Sequence, residues 1–416
     1  MALIPPEIVE QFMWHINEDK DRTEPLLACS LVSHTWGSIA RPFLYNNVFL
    51  DISRSQATTL IDIISKSSQI QAYIHHLLIG RTSNPPASPL SILSKLGSLP
   101  SLQSLQIRSS VRLSLHLDRG FAMNLGSVLG SKSLTSLELS GFNFPAELLY
   151  HCVALQNLAI RQVTFMSPST SDIDQELHVP HLLAERRPIL KSLILSTFHR
   201  EGNENLNWLL SPLSPFDLSQ LETFIGVDRG NMMSSYEAHC RLISHASHSL
   251  KTVLIDPPTS CITGDVQNPL GLLDPRKLQN ISSITVAVTQ TLSQFNALPW
   301  LVLLLSGLPN PETLHELVLL CDLYKNTAGG FSAHSERWSD MDNLLNRFCN
   351  LQRLHLKCYD EPDDEVSQAM ISWFHEMLPT WASKGVLSVE CFHDVTYTTS
   401  IHQRLMGSGR YGVFWF

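Results

Sequence analysis

One short apolar pattern recurs along most of this chain and limits what the chain can fold into. Within six residues it places apolar side chains at the first, fourth and sixth positions, as in "LQSLQI" from Leu102. Clear copies begin at Ile74, Leu102, Leu134, Leu155, Leu190, Leu250, Ile281, Leu314 and Leu351, with a weaker copy at Leu221. "YNNVFL" from Tyr45 and "VLSVEC" from Val386 are the candidate first and last copies. A pattern that returns about every 30 residues indicates a repeat architecture.

The spacing inside the pattern predicts a strand. The last two apolar positions are two residues apart, so on a β-strand both side chains point to one face, and the first position turns the chain toward the same core. The interval between copies leaves room for a helix. We therefore predict an α/β fold in which strand–helix units stack into a solenoid with a parallel, curved sheet. A doubly wound α/β domain is the alternative, because its strands recur at a similar interval.

Composition excludes several classes of protein. The 416 residues are 44% hydrophobic with a net charge of −9, and no Lys/Arg run is long enough to follow a nucleic-acid backbone. The eight cysteines are scattered without a CxxC pair, which is typical of reduced thiols in an intracellular protein. The N-terminus lacks a signal peptide's basic start, and the apolar run near residue 300 is too short to span a bilayer. We expect a cytoplasmic and/or nuclear protein without nucleic-acid or membrane partners.

The first 45 residues predict three short helices ahead of the repeats. The first helix begins at Pro5-Pro6, the second carries Leu26 to Val32, and the third begins near His34. Three helices of this size cannot stabilise themselves, so they must pack on the repeats, on a partner, or on both. The predicted domains are a helical domain over 1–45, a repeat region over 46–395 and a C-terminal cap or tail over 396–416.

The region from about 45 to 395 resembles the leucine-rich-repeat family. It departs from that family where an asparagine is expected after the strand, because Ser110, Phe142, Val163 and Phe198 stand there. Insertions at 166–187, 256–276 and 322–345 also interrupt the repeats. The resemblance therefore implies an irregular solenoid.

The N-terminal segment resembles an F-box, in the form common in fungal (basidiomycete-type) F-box-like proteins. The matching stretches are "LIPPEIVEQFMWHI", "LLACSLVSHTW" and "ARPFLYNNVFL", in that order. In that family the F-box binds a Skp-type adaptor, and through it the cullin of a ubiquitin ligase, while the repeats hold the substrate. Carried onto this sequence, the adaptor-binding residues would be Ile4, Pro5, Pro6, Glu7, Ile8, Leu27, Cys29, Leu31, Val32 and Trp36. Some of them, Leu27, Val32 and Trp36 especially, could instead pack the three helices together.

The strand positions that alternate with the core leucines are candidates for holding a target protein. They include Arg108, Glu138, Arg161, Ile194, Leu254, Val318, Leu320, His355 and Lys357. The apolar members would mark a binding surface if they were exposed. The alternative is that an insertion or the C-terminal tail covers them.

No motif in the sequence predicts a catalytic, cofactor-binding or metal site. P-loop, GxSxG, HExxH and paired-carboxylate motifs are absent, and "GSGRYG" from Gly407 lacks the following helix that a dinucleotide site needs. The histidines of "HCRLISHASH" lack a fourth zinc ligand. We expect no catalytic residue, cofactor or metal. The sequence predicts a non-catalytic substrate receptor of an SCF-type ubiquitin ligase whose target protein is unknown. An interaction scaffold outside any ligase and an α/β enzyme with an unrecognised site are the alternatives.

Overall fold

The computed structural model of the protein describes residues 4–18, 22–51, 55–81, 99–113, 125–166, 187–197, 201–228, 233–257, 270, 273–288, 297–322, 335–359 and 364–392. The predicted C-terminal segment 396–416 and the central parts of the three predicted insertions lie outside these residues. The chain divides into two compact units, one reaching to Pro188 and the other beginning at Ile189. This division falls within the repeats, whereas the predicted change from helices to repeats falls where a helix ends at Tyr45 and a strand begins at Asn47.

The first unit begins with helices and continues with parallel strands. Its helices are α1 (Pro6–Glu18), α2 (Thr23–Ser30), α3 (His34–Tyr45), α4 (Ser55–Lys66) and α5 (Ser68–Tyr73). Its strands are β1 (Asn47–Asp51), β2 (His76–Arg81), β3 (Ser104–Leu113), β4 (Ser136–Pro145), β5 (Asn157–Arg161) and β6 (Thr164–Met166). Strands β1 to β5 pair in chain order, all parallel, and β6 pairs with the distal part of β4. A helical segment at 125–129 and a 3₁₀ helix at Ala146–His151 connect later strands.

The second unit repeats a strand followed by a helix or a helical turn. Its strands are β7 (Ser192–Thr197), β8 (Thr223–Asp228), β9 (Thr252–Ile255), β10 (Ser283–Val288), β11 (Glu316–Asp322), β12 (Arg353–Tyr359) and β13 (Leu387–Phe392). Its helices are α6 (Glu201–Leu209), α7 (Met233–His245), α8 (Ala297–Ser306), α9 (Ser335–Leu345), α10 (Asp364–Met377) and α11 (Pro379–Ser383), with 3₁₀ turns at Pro275–Lys277 and Pro311–Thr313. Each strand pairs in parallel with its neighbours in the sequence.

The register explains why the repeated pattern produces this sheet. Leu77, Leu105, Leu137 and Leu158 lie opposite one another across β2 to β5 and are almost fully buried. In the second unit the same position is held by Val253, Ile284, Leu317 and Leu354, all buried. Equivalent apolar side chains therefore stack along the core, and each added strand extends it.

The structure confirms the twelve predicted strands and decides between the two predicted architectures. A doubly wound sheet reverses its strand order at a switch point. Within each unit, by contrast, the strand order follows the chain order, which is the arrangement of stacked repeats. The apolar run near residue 300 forms α8, whose Trp300, Leu301, Leu304 and Leu305 are buried. Within the described ranges, no helix has both the length and the apolar character needed to cross a membrane.

Side-chain hydrogen bonds join the turns that precede successive strands. In the second unit the amide nitrogen of Asn280 donates to the carbonyl of His248 at 2.6 Å, and that of Asn310 donates to Gln279 at 2.9 Å. Asn350 donates to the carbonyl of Glu312 at 2.8 Å. These bonds satisfy carbonyls that the sheet does not use. The leucine-rich-repeat family is expected to carry asparagines after its strands, whereas this chain carries them before the strands.

Candidate functional site

Helix α1 has two apolar sides, of which only one is buried. The N–H groups of Ile8 and Val9 donate to the carbonyl of Pro5 at 3.0 and 3.3 Å, which starts the helix. Val9 and Met13, four residues apart, are buried in the core that the three helices share. Ile8 and Phe12 have the same spacing one residue earlier, and both are exposed, Ile8 at 53%. The apolar residues on one side of α1 therefore pack in the core, and those on the other side face solvent.

The turn between α2 and α3 exposes two more apolar side chains. Leu31 and Val32 follow the end of α2, and their exposed fractions are 87% and 63%. The hydroxyl of Ser33 accepts a hydrogen bond from the N–H of Trp36 at 3.2 Å, which caps α3 and fixes the turn. A Cβ on Gly37 would lie 2.9 Å from the carbonyl oxygen of Ser30, so the close approach of the two helices needs glycine there. The exposed position of Leu31 and Val32 is thus set by local backbone geometry.

We call the exposed apolar residues of this region the N-terminal apolar surface: Ile4, Ile8, Phe12, Trp14, Leu27, Leu31 and Val32. The half-buried ring of Trp36 stands edge-to-face against Phe12, with 6.1 Å between ring centroids, and so links α1 to α3. Of the predicted adaptor-binding residues, Ile4, Pro5, Pro6, Glu7, Ile8, Leu27, Leu31 and Val32 are exposed. Cys29 is not on this surface: it is only 9% exposed and belongs to the three-helix core. Phe12, which is not among the predicted adaptor-binding residues, is exposed one helical turn after Ile8.

In the first unit, the strand positions that alternate with the core leucines form a polar surface on β3 to β5, whereas Phe49 and Leu78 hold the equivalent positions on β1 and β2. We call this side of each unit its second sheet face. Arg108 on β3 and Arg161 on β5 both contact the carboxylate of Glu138 on β4, which lies between them. The Nη2 atom of Arg108 is 3.1 Å and the Nε atom of Arg161 is 3.4 Å from Glu138 Oε1. Burial lowers the pKa of Arg161 below its ordinary value, and Glu138 opposes that shift.

In the second unit, the centre of the second sheet face is buried and mostly apolar, with Thr285 and Asp256 as buried polar residues beside the apolar ones. Val227, Leu254, Ala287, Val318 and Leu320 form one buried cluster, against which the half-buried Ile225 packs. Leu254, Val318 and Leu320 are therefore covered, so they do not form the exposed apolar patch that would have marked a binding surface. Apolar side chains on both faces of a parallel strand are typical of a sheet that is covered on both sides.

The remaining predicted substrate residues lie at the two ends of this cluster. Ile194 on β7 lies opposite Ile225 and is half-buried. His355 and Lys357 on β12 lie opposite Val318 and Leu320, and both are half-buried. The Nδ1 atom of His355 is buried and has no hydrogen-bond partner within the described chain.

The described ranges contain no group of three or more His, Cys, Asp or Glu side chains arranged to hold a metal ion. Burial raises the pKa of the Cys152 thiol to about 12, so this cysteine is held as an unreactive thiol. His239, which the sequence placed in a possible zinc motif, is buried on α7 with its ring against Phe224. Two surfaces are suited to binding a partner. The N-terminal apolar surface presents apolar side chains on short helices, and the second sheet face of the first unit presents charged side chains on a sheet.

No protein-family model matches the chain, and no curated protein matches it either.

Proposed function

We propose that this chain is a non-catalytic substrate receptor of a cullin–RING (SCF-type) ubiquitin ligase. In this proposal the N-terminal helices act as an F-box that binds a Skp-type adaptor, and the leucine-rich-repeat-like strands hold a target protein. The chain would contribute proximity, and the bond-forming chemistry would belong to the partner enzymes. The three F-box-like stretches and the repeated strands that follow them are the sequence basis of the proposal.

The observation that carries the proposal is where the exposed apolar side chains are concentrated. In the described part of the chain, twelve large hydrophobic residues are exposed, and seven of them lie between Ile4 and Val32. Single exposed apolar residues are normal, but a concentration of them on one small domain marks a docking surface. Helices that share only six buried core residues also gain stability from a partner.

The surface suits a helical or grooved partner more than a sheet edge. Ile8 and Phe12 are separated by one helical turn, and Leu31 and Val32 project from the turn after α2. Anchors at such spacing enter apolar pockets of a partner, and a few of them dominate the binding energy. The exposed Pro5, Pro6 and Glu7 lie at the start of α1, beside the anchors.

Capture by a Skp-type adaptor tests the proposal. The full chain is mixed with purified adaptor, and the affinity is measured for the wild type, Ile8→Asp, Leu31→Asp and the double variant. We expect each single change to weaken binding by at least about tenfold, because a carboxylate replaces an anchor that would be desolvated. Val153→Asp, at an exposed apolar residue elsewhere in the same unit, is the matched control and should bind like wild type.

Two results would overturn different parts of the proposal. If the wild-type chain does not bind the adaptor, the ligase assignment fails, and an interaction scaffold outside any ligase becomes the better description. If Leu31→Asp binds as tightly as Val153→Asp, the adaptor is bound elsewhere and the assignment of the N-terminal apolar surface fails.

A further inference from the structure

The charges on the second sheet face of the first unit do not balance. Arg108, Glu138 and Arg161 stand on three adjacent strands, and both guanidinium groups contact the same carboxylate oxygen. The cluster therefore carries two positive charges and one negative charge. By contrast, Lys251 and Glu222 in the second unit form a one-to-one pair at 2.8 Å.

The hydrogen-bonding capacity of this cluster is also unfilled. The Nε atom of Arg161 is buried and has no hydrogen-bond partner within the described chain, and its contact with Glu138 at 3.4 Å is purely ionic. Buried polar groups normally find partners, so an unfilled guanidinium donor on this surface calls for a ligand that accepts a hydrogen bond.

The cluster can be reached from solvent on one side. The side chain of Arg108 is 41% exposed, whereas those of Glu138 and Arg161 are 11% and 16% exposed. Arg108 therefore presents the more accessible guanidinium, and Arg161 stands two strands away on the other side of Glu138. A guanidinium presents paired N–H donors in a plane, which matches the two oxygens of a carboxylate.

We propose that Arg108 and Arg161 bind the carboxylate of an acidic side chain, in a protein segment that docks on the second sheet face of the first unit. One carboxylate carries one negative charge and neutralises the cluster. A phosphate dianion would leave a net negative charge beside Glu138, so the charge balance favours the carboxylate. The inference rests on the proposed function in one respect, which is that the docked segment belongs to the target protein.

A pair of short peptides tests this inference without the adaptor. Acetyl-Glu-Glu-Glu-Glu-amide and acetyl-Gln-Gln-Gln-Gln-amide are titrated into the full chain by calorimetry. We expect the glutamate peptide to bind at least about tenfold more tightly, and its affinity to fall as the ionic strength rises from about 0.05 M to about 0.3 M. Arg108→Gln and Arg161→Gln should each weaken binding by about fivefold or more.

Two further variants make the test specific. Glu138→Gln removes the carboxylate that competes for both guanidinium groups, and it should strengthen binding by about threefold or more. Lys251→Gln removes a paired cation in the second unit and should leave binding unchanged. Circular dichroism and the unfolding midpoint of each variant show whether it is folded, and Arg108→Gln, at the more exposed arginine, keeps the test valid if Arg161→Gln fails to fold.

Several results would overturn the inference. They are the absence of binding by the glutamate peptide, equal binding of the glutamine peptide, or unchanged affinity in folded Arg108→Gln. Tighter binding of a phosphoserine tetrapeptide than of the glutamate peptide would overturn the assignment to a carboxylate. Because adaptor capture is measured separately, on the wild-type chain and on variants of the N-terminal helices, a failure here is distinguishable from a failure of the ligase proposal.

Discussion

The first unit places Arg108, Glu138 and Arg161 on its second sheet face, whereas the second unit buries Leu254, Val318 and Leu320 at the alternating positions of its own strands. Both units stack the same apolar pattern on the core face, at Leu137 in one and Leu317 in the other. This difference shows that the repeated apolar pattern specifies the residue type at only every second position of a strand. The remaining positions are available either for recognition or for additional burial, and the two units have used them differently.

The largest loss of stability is expected when a charge is placed on the second sheet face of the second unit, because this unit has a buried apolar cluster where the first unit has charges that pair. Leu320→Arg buries an unpaired cation among Leu254 and Val318, and we expect it to lower the free energy of unfolding by more than about 4 kcal/mol. Chemical denaturation followed by tryptophan fluorescence reports this loss, because most described tryptophans lie in the second unit, at Trp208, Trp300, Trp338, Trp373 and Trp381.

Leu303→Arg is the matched control, because Leu303 is an exposed leucine of α8 in the same unit. Its unfolding midpoint should stay close to that of the wild type. Equal stability of Leu320→Arg and Leu303→Arg would show that the second sheet face of this unit is not an additional core.

A smaller effect is expected at the glycine that follows the polar residues of β4. Gly141 has a φ of +84°, and a Cβ there would lie 2.2 Å from the carbonyl oxygen of Ser109 on β3. Gly141→Ala should therefore cost about 2–4 kcal/mol through backbone strain and a forced separation of the two strands. Labelling of the buried Cys152 thiol in increasing denaturant, read by mass spectrometry, reports the opening of the first unit.

Gly385→Ala separates the two causes. Gly385 in the second unit has a φ of +68° but nothing within 4 Å of its Cβ position, so it carries the strain without the clash. We expect it to cost about 1 kcal/mol. A loss as large as that of Gly141→Ala would mean that strain alone, and not the contact with Ser109, explains both.

The turns that precede the strands give a third and weaker contrast. The second unit joins these turns through asparagines, and the first unit uses the hydroxyl of Ser133, which donates to the carbonyl of Pro100 at 2.9 Å. Asn310→Ala removes the bond to Gln279 and should lower stability by about 1 kcal/mol in the fluorescence assay. Asn343→Ala, at an exposed asparagine of α9, should change stability by less than about 0.5 kcal/mol. Equal unfolding midpoints for the two variants would show that the asparagine hydrogen bonds do not contribute to stability.

The smallest expected effect is a pH dependence of the first unit. Burial lowers the pKa of His75, His76 and His151 below the ordinary 6.5, so the folded unit holds these rings neutral when the unfolded chain protonates them. Unfolding then takes up protons, and stability falls as the pH drops from about 7.5 to about 5.5. Cys152 labelling should show opening at lower denaturant at the acid end, with a shallower pH slope in His151→Gln. A midpoint that rises on acidification would contradict the assignment.

Much of the fold could be predicted from the sequence because the core positions obey a local rule. Two apolar residues at i and i+2 identify the buried face of a strand, whichever strands lie beside it. Leu354 and Leu356 are an example, and both are fully buried. The three N-terminal helices were predicted by the same kind of reasoning, from Pro5 and Pro6 and the spacing of apolar residues.

The candidate sites could be predicted less well, because they depend on residues far apart in the chain. Helix α1 contains two apolar pairs at i and i+4, and only the positions of α2 and α3 decide that Val9 and Met13 turn inward while Ile8 and Phe12 stay exposed. The burial of Leu254 is likewise decided by residues on other strands. The positions of the charged residues were predicted more successfully, because Arg108, Glu138 and Arg161 were all placed on one surface. That both arginines contact the same oxygen of Glu138 is visible only in the structure.

The chain-order pairing of the strands has a consequence for how the protein is made. Each new strand, from β2 to β5 and again from β8 to β13, pairs with a strand that the ribosome has already released. Each of these described strands pairs with the one before it in the same unit, so the loop-closure entropy of each step is small. The nascent chain can therefore add one strand at a time to an existing edge, and translation itself would set the order of assembly.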